Sequence, residues 1–288
     1  MMNKALFNLT MKNVIVVGNK KFAFIPVELL FADFRFQRRG KKAQQKINAM
    51  AAAWDYRKMD PLRVVPHYEE CRFSVIDGWH RYSAAVINGV DYLVCEIIEL
   101  PESEEKRLIE EASLFAEQGE HDDPLSPMEK HRANIIRGVE KNINLQKLID
   151  KYKIEISEGQ SRSAKKVNYL TGFNYALEMA GTNMEVADKV FMIICQSGWN
   201  LSPNGLGNYA LRPLFNLLRL HREHADQIVL FLSEHLRGID PNLWFAFAAE
   251  RYPERKQIER ITLYYEDVVT ENLDIPRLYF GGTIKVAA

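Results

Sequence analysis

Apolar residues fall into two regimes along the chain: short runs alternating with helix-spaced faces up to about residue 118, and helix-spaced faces almost throughout beyond residue 127. Residues 13–17 form an apolar run closed by Gly18-Asn19, and residues 22–25 form another ending at Pro26, the pattern of two strands in a hairpin. Residues 41–54 place Ile47, Met50, Ala51 and Trp54 on one face of a predicted helix that Pro61 halts. Residues 62–65 and 72–76 are β-rich and flank the polar stretch 66–70, which predicts a second hairpin delivering the chain to Asp77-Gly78. Tyr82, Ala85, Val86 and Gly89 then mark a helix, residues 90–98 a strand, and Pro101 opens a charged helix that runs to about Gln118. The order β-β-α-β-β-α-β-α predicts a compact mixed α/β domain.

Residues 119–127 are polar and broken by two prolines, so the domain boundary is expected there, between a first domain over 1–120 and a second over 125–288. Beyond it the pattern is helical throughout. Helices are expected over 127–140 and 145–152, joined through 141–144 in a way compatible with a helix-turn-helix or with ordinary bundle packing. The strongly apolar 184–196 reads as a central helix, and 197–208, rich in Gly, Pro and Asn, as a mobile lid or a long connection. Further helices follow over 209–222, 225–236, 241–251 and 254–269, and the tail 271–288 reads as a surface strand or arm. The predicted fold is α+β: a small mixed-sheet domain followed by an all-α domain.

At 47% hydrophobic and 26% charged residues, the composition is that of a soluble globular protein. Lys and Arg balance Asp and Glu at 38 each, which gives no global electrostatic case for nucleic acid. The distribution is uneven, however. Residues 1–65 hold thirteen basic against four acidic, and 96–123 eleven acidic against two basic, as expected of a basic site for a polyanion beside an acidic, solvated helix. Cys71, Cys95 and Cys195 lack metal-ligand spacing and read as reduced thiols, and no apolar run reaches membrane-spanning length, so a cytoplasmic protein that meets no membrane is expected. His221 and His224 lie three apart without a fixed carboxylate or thiol partner, which favours capping or surface packing over a metal site. The small basic patch from Ser161 to Lys166 reads as a solvated face.

Two stretches carry candidate chemistry. At Asp77-Gly78-Trp79-His80-Arg81 a strand meets a tight turn and a helix; Gly78 admits close backbone approach, and the first-turn N–H groups favour an anion. Arg81 in that first turn opposes the helix dipole unless something negative sits nearby, which suits a phosphate. From Arg35 to Lys42, five of eight residues are basic, with Phe34 and Phe36 interleaved. That run suits nucleotide or nucleic-acid phosphates with aromatic stacking, or equally a solvated loop anchored by its two Phe side chains.

Phe36-Gln37-Arg38 upstream and Asp77-Gly78-Trp79-His80-Arg81 downstream, with the helix and the 61–65 strand between them, resemble the ParB/sulfiredoxin superfamily over about residues 22–99. The resemblance implies a nucleoside triphosphate, ATP or CTP, held with Mg²⁺. Gly78, Trp79, His80 and Arg81 would surround its phosphates, Gln37 and Arg38 would close over them, and Ala84 and Ala85 would let the helix pack closely. Asp77 and His80 are the implied catalytic residues, Asp77 holding a metal or orienting His80; no residue is assigned as a dedicated metal ligand. The implied function is nucleotide binding, with or without hydrolysis, coupled to DNA binding in a bacterial, phage or mobile-element setting. The helical half would supply DNA contact or self-association as a homodimer. The same box also fits a small-molecule kinase, a metal-dependent nuclease, or an interaction module whose pocket is vestigial. Sulfiredoxins carry a reactive Cys where this chain has Trp79, so sulfinic-acid repair is not expected. Chromosome-partitioning ParB proteins show a Gly-Glu-Arg-Arg type second box, and a free-serine kinase branch relies on a Glu near the position of Gln37, whose amide cannot accept a proton from a hydroxyl as a carboxylate can.

Overall fold

The computed structural model describes residues 2–38, 41–101, 103–118, 125–156 and 167–282. The chain divides into two compact units, Met1–Val139 and Glu140–Ala288. In the first, the apolar runs become one mixed six-stranded sheet of order β1-β2-β6-β4-β5-β3. Its strands are β1 (Ile15–Val17), β2 (Lys20–Pro26), β3 (Leu30–Phe31), β4 (Leu62–His67), β5 (Arg72–Asp77) and β6 (Tyr92–Ile97). Both predicted hairpins form, β1 with β2 and β4 with β5. The two parallel contacts, β3 with β5 and β4 with β6, come from long-range pairing. Helices α1 (Met2–Lys12), α2 (Lys41–Ala52), α3 (Trp79–Ile87), α4 (Glu104–Gln118) and α5 (Pro127–Ile136) complete the unit.

Alternation along each strand sorts side chains between two faces. One face gathers Ile25, Leu62, Val64, Val75 and Cys95 with Phe7 of α1 and Ala85 of α3. The other gathers Val65 and Ile76 with Phe36, Ala112 and Phe115 of α4 and Ala133 of α5. Helix α1 was not expected: residues 2–12 lack a strong stripe, yet Phe7 and Thr10, one turn apart, are buried. Helix α2 stops at Ala52, well before Pro61, and Trp54 beyond it still packs on the core. Helix α4 is not simply a solvated acidic helix. Glu111 is buried and accepts hydrogen bonds from Ser74 Oγ and from His67 Nε2 at 2.8 Å, and Arg107, one helical turn earlier, is also buried.

The expected linker lies mostly outside the described residues, and the division between units falls later, after Val139, because α5 packs with α4 into the first unit. The second unit contains α6 (Glu140–Tyr152), α7 (Phe173–Thr182), α8 (Met184–Gln196), α9 (Asn208–Leu220), α10 (Ala225–His235), α11 (Pro241–Arg251) and α12 (Gln257–Asn272). Helix α8 is central as predicted, with Val190, Phe191, Ile193 and Ile194 fully buried. The helix break expected at 141–144 is absent, since those residues lie inside α6; the chain turns instead at Gly138, whose φ of 77° only glycine adopts freely. The stretch 197–208 is tethered: Trp199 is buried, and its indole N–H donates to Ile239 O at 2.8 Å. His221 is buried against the Glu266 carboxylate at 2.8 Å, not packed on the surface. The tail forms no strand up to residue 282, and its remainder, like the 161–166 patch, lies outside the described residues.

Candidate functional site

The turn at the end of β5 forms because Gly78 takes φ 90°, ψ 20° and so reverses a strand into a helix within one residue. A Cβ there would overlap the Leu62 side chain at the start of β4, so glycine is required by space as well as by angle. The first intrahelical hydrogen bond of α3 runs from Tyr82 N to Gly78 O at 2.8 Å. The N–H groups of Trp79, His80 and Arg81 precede it, and the helix itself offers them no acceptor. Gly78 supplies no side-chain cap.

Two charged groups flank this helix start. Asp77 turns back on the turn, its Oδ1 accepting from Gly78 N–H at 2.7 Å and its Oδ2 lying 3.2 Å from Arg81 Nη2. Arg81 Nη1 donates to Asp60 O at 2.7 Å and to Pro61 O at 3.4 Å. The guanidinium is therefore folded beside the helix start, bridging it to the chain that enters β4. His80 is half-buried in the same first turn. Trp79 meets Phe34 edge-on with ring centroids 5.2 Å apart and lies 5.6 Å from Tyr82, whose hydroxyl donates to Leu30 O at 3.1 Å. Burial pushes the Tyr82 phenol above its ordinary pKa.

The upstream box is built differently from its sequence expectation. Phe36 is fully buried, whereas Phe34 stays partly exposed against Trp79, so one ring anchors the loop and the other joins the turn. Gln37 is buried, its amide donating to Val75 O at 2.7 Å and Ile76 O at 3.1 Å. Those carbonyls lie just past Ser74, where β3 stops pairing with β5, so the side chain continues the strand's hydrogen bonding where the sheet runs out. Gln37 is thus a pin between the loop and β5, and its amide hydrogens face carbonyls. Arg38 follows at the loop's partly exposed end. Arg35 is held by Asp33 through a 2.6 Å contact, which raises the guanidinium pKa further. Arg39 and Gly40 lie outside the described residues.

The structure therefore brings Asp77, Gly78, Trp79, His80 and Arg81 into one turn, with Phe34, Asp60 and Leu62 as partners that the local motif does not name. Among the described residues, no group of three or more His, Cys, Asp or Glu side chains is arranged to hold a metal. Nor is any described helix long and apolar enough to cross a membrane.

No protein-family model matches the chain, and no curated protein matches it. Among solved structures it is similar to the C-terminally truncated chromosome-partitioning protein ParB from Caulobacter crescentus complexed with CTP-γ-S. That match has 13% identity and a TM-score of 0.29, over 81% of this chain and 99% of that one. A second match is the same truncated ParB complexed to the centromeric parS site, with 13% identity and a TM-score of 0.26, over 83% of this chain and 96% of that one. The geometry of the turn carries the functional case.

Proposed function

We propose that the turn from Asp77 to Arg81 binds the phosphates of a nucleoside triphosphate, ATP or CTP, and that this ParB-like first unit couples nucleotide binding to DNA binding. The observation that carries the proposal is the start of α3: a left-handed Gly78 with no side-chain cap, N–H groups preceding the first helical hydrogen bond, and the Arg81 guanidinium folded alongside. Such a start favours a polyanion through both its donors and its dipole. Trp79 and Phe34 add aromatic surface beside it.

Backbone groups of residues 79–81 and the Arg81 side chain would hold the phosphates, with Arg38 reaching from the upstream box. Gln37 acts indirectly by fixing that box to β5. Mg²⁺ commonly rides on phosphate oxygens with one or two protein carboxylates and several waters, and Asp77 is the carboxylate at hand. Bound magnesium would neutralise phosphate charge. If the nucleotide is turned over, His80 and Asp77 would be the groups that hold or move a proton. A kinase or a metal-dependent nuclease using the same turn is the alternative: the kinase would release nucleoside diphosphate only with its acceptor present, and the nuclease would cut DNA in a metal-dependent way.

Thermal unfolding with ATP, CTP and GTP, each with Mg²⁺, tests the site. Ligand at about 100 times its Kd stabilises the folded state by about 2.7 kcal/mol, a shift of several degrees. Arg81→Ala should remove the shift; no shift with any nucleotide at millimolar concentration refutes the site. The DNA half predicts salt-dependent binding that weakens when Arg38, Arg39, Lys41 and Lys42 are neutralised together.

A further inference from the structure

The sheet of the first unit is covered unevenly. On the face where α4 and α5 pack over β4 and β5, the other end of the sheet carries Ile15, Val17, Phe22, Phe24, Tyr92 and Val94. Register places them together, with Ile15 opposite Phe22 on β1 and β2, and Phe24 opposite Val94 on β2 and β6. Alternation sends Ala23, Ile25, Leu93 and Cys95 of the same strands into the buried face. Phe24 is 64% exposed, Val17 61%, Ile15 55%, Tyr92 54% and Val94 41%. A sheet face left to water ordinarily alternates polar residues outward, whereas here six apolar side chains surround Lys20, opposite Val17, and Glu96, opposite Phe22.

We infer that this face is a self-association surface, and that a second copy of the chain packs on it face to face about a two-fold axis. Side chains of this size and exposure open on the order of 500 Å² per copy, the upper end of what a monomer leaves bare. Two such faces, with the backbone and rim around them, reach the roughly 1,200 Å² at which specific interfaces begin. Charge also favours a second copy over a polyanion or an anionic membrane. Lys20 and Glu96, the charged residues on this face, lie 3.1 Å apart, so the face presents balanced charge and meets its own copy without like-charge repulsion. Edge-to-edge pairing is the weaker mode, because β1 is three residues long. Stacked sheets interdigitate their side chains at about 10 Å separation, which a flat aromatic and β-branched face suits.

Sedimentation equilibrium of the full chain at micromolar concentrations, without nucleotide, tests this. The wild type is expected to be a dimer, and Phe24→Asp and Tyr92→Arg should each weaken dimerisation by about 100-fold, as loss of a central aromatic anchor does. Both side chains point to solvent in the monomer, so circular dichroism and melting of the separated monomers should match the wild type. A monomeric wild type overturns the inference. So does a folded variant of both positions that still dimerises, which would place the interface elsewhere. A monomer that instead binds anionic vesicles through Phe24 would assign the face to a lipid surface and equally overturn it.

Discussion

Replacing Asp77 by Asn sets stability against affinity at the turn. The carboxylate accepts from Gly78 N–H at 2.7 Å and reaches Arg81 at 3.2 Å, so it already engages donors that a phosphate bound as proposed would use. Its side chain is 43% exposed, and an ion pair so screened by solvent contributes at most about 1 kcal/mol. Its charge at the helix start adds about 0.3–1 kcal/mol. Asparagine retains an acceptor for Gly78 N–H and removes the charge. Folding stability should therefore fall by about 1 kcal/mol. The same charge no longer competes for Arg81 and the helix start, so the affinity for metal-free triphosphate should rise about fivefold, given that about 1.4 kcal/mol is tenfold in Kd, whereas with Mg²⁺ the loss of the carboxylate should offset that gain. Denaturant titration followed by circular dichroism reads the first change, and isothermal calorimetry with CTP and ATP, with and without Mg²⁺, reads the second. Weaker binding of the metal-free triphosphate to the Asp77→Asn variant would show that the Asp77 charge does not compete with the phosphates and would refute this account.

Gly78→Ala should destabilise by about 2–4 kcal/mol, combining left-handed strain with overpacking against Leu62, and Leu62→Val in the same chain should recover part of that loss in a thermal melt. Gln37→Ala leaves the Val75 and Ile76 carbonyls without its amide and should cost about 2–3 kcal/mol by urea denaturation while also weakening nucleotide binding. In the second unit, Glu266 accepts the N–H groups of Leu278 and Tyr279 as well as facing His221. Glu266→Ala should cost about 3 kcal/mol and release residues 273–282 to limited proteolysis read by mass spectrometry. Burial pushes the Cys95 thiol far up, so alkylation at mildly alkaline pH should spare it until the protein unfolds.

Period and turn chemistry made most of this fold legible in the sequence. The hairpins, the strand-turn-helix at Gly78 and the central helix α8 each announce themselves within a dozen residues, because alternation, glycine and helical spacing act locally. What escaped depends on distant partners. Strand β3 is two residues long and exists only because Phe73 and Ser74 pair with it. Glu111 looks like one more acid on a charged helix until Ser74 and His67 meet it from the sheet. His221 has no visible carboxylate in sequence because Glu266 is 45 residues away. At the candidate site the turn itself was readable, whereas the orientation of Gln37 was not: its amide is directed by two β5 carbonyls left open where β3 ends, a vacancy created by sheet register.

That pin changes how occupancy of the turn can be transmitted. A first box that closes over phosphates as a free flap would need Gln37 to swing, but Phe36 and Gln37 are already seated in the core. The groups able to respond are those whose partners a phosphate would replace. Releasing Arg81 from Asp60 and Pro61 frees the segment entering β4, while any shift of Trp79 is felt by Phe34 across their 5.2 Å contact. Phe34 lies three residues before the Gln37 pin, and the backbone oxygen of Gln37 in turn accepts from Arg132 on α5 at 3.3 Å. Helix α5 leads directly into the Gly138 turn, the last structural feature before the second unit begins. Hydrogen bonds thus join the end of β5, one residue before the turn at Asp77-Gly78, through the Gln37 side chain and backbone to Arg132 on α5. If the proposed site is occupied, α5 is the element that these hydrogen bonds connect to the turn, and amide hydrogen exchange in residues 127–136 with and without nucleotide checks whether it responds; unchanged exchange beside confirmed binding would sink the connection.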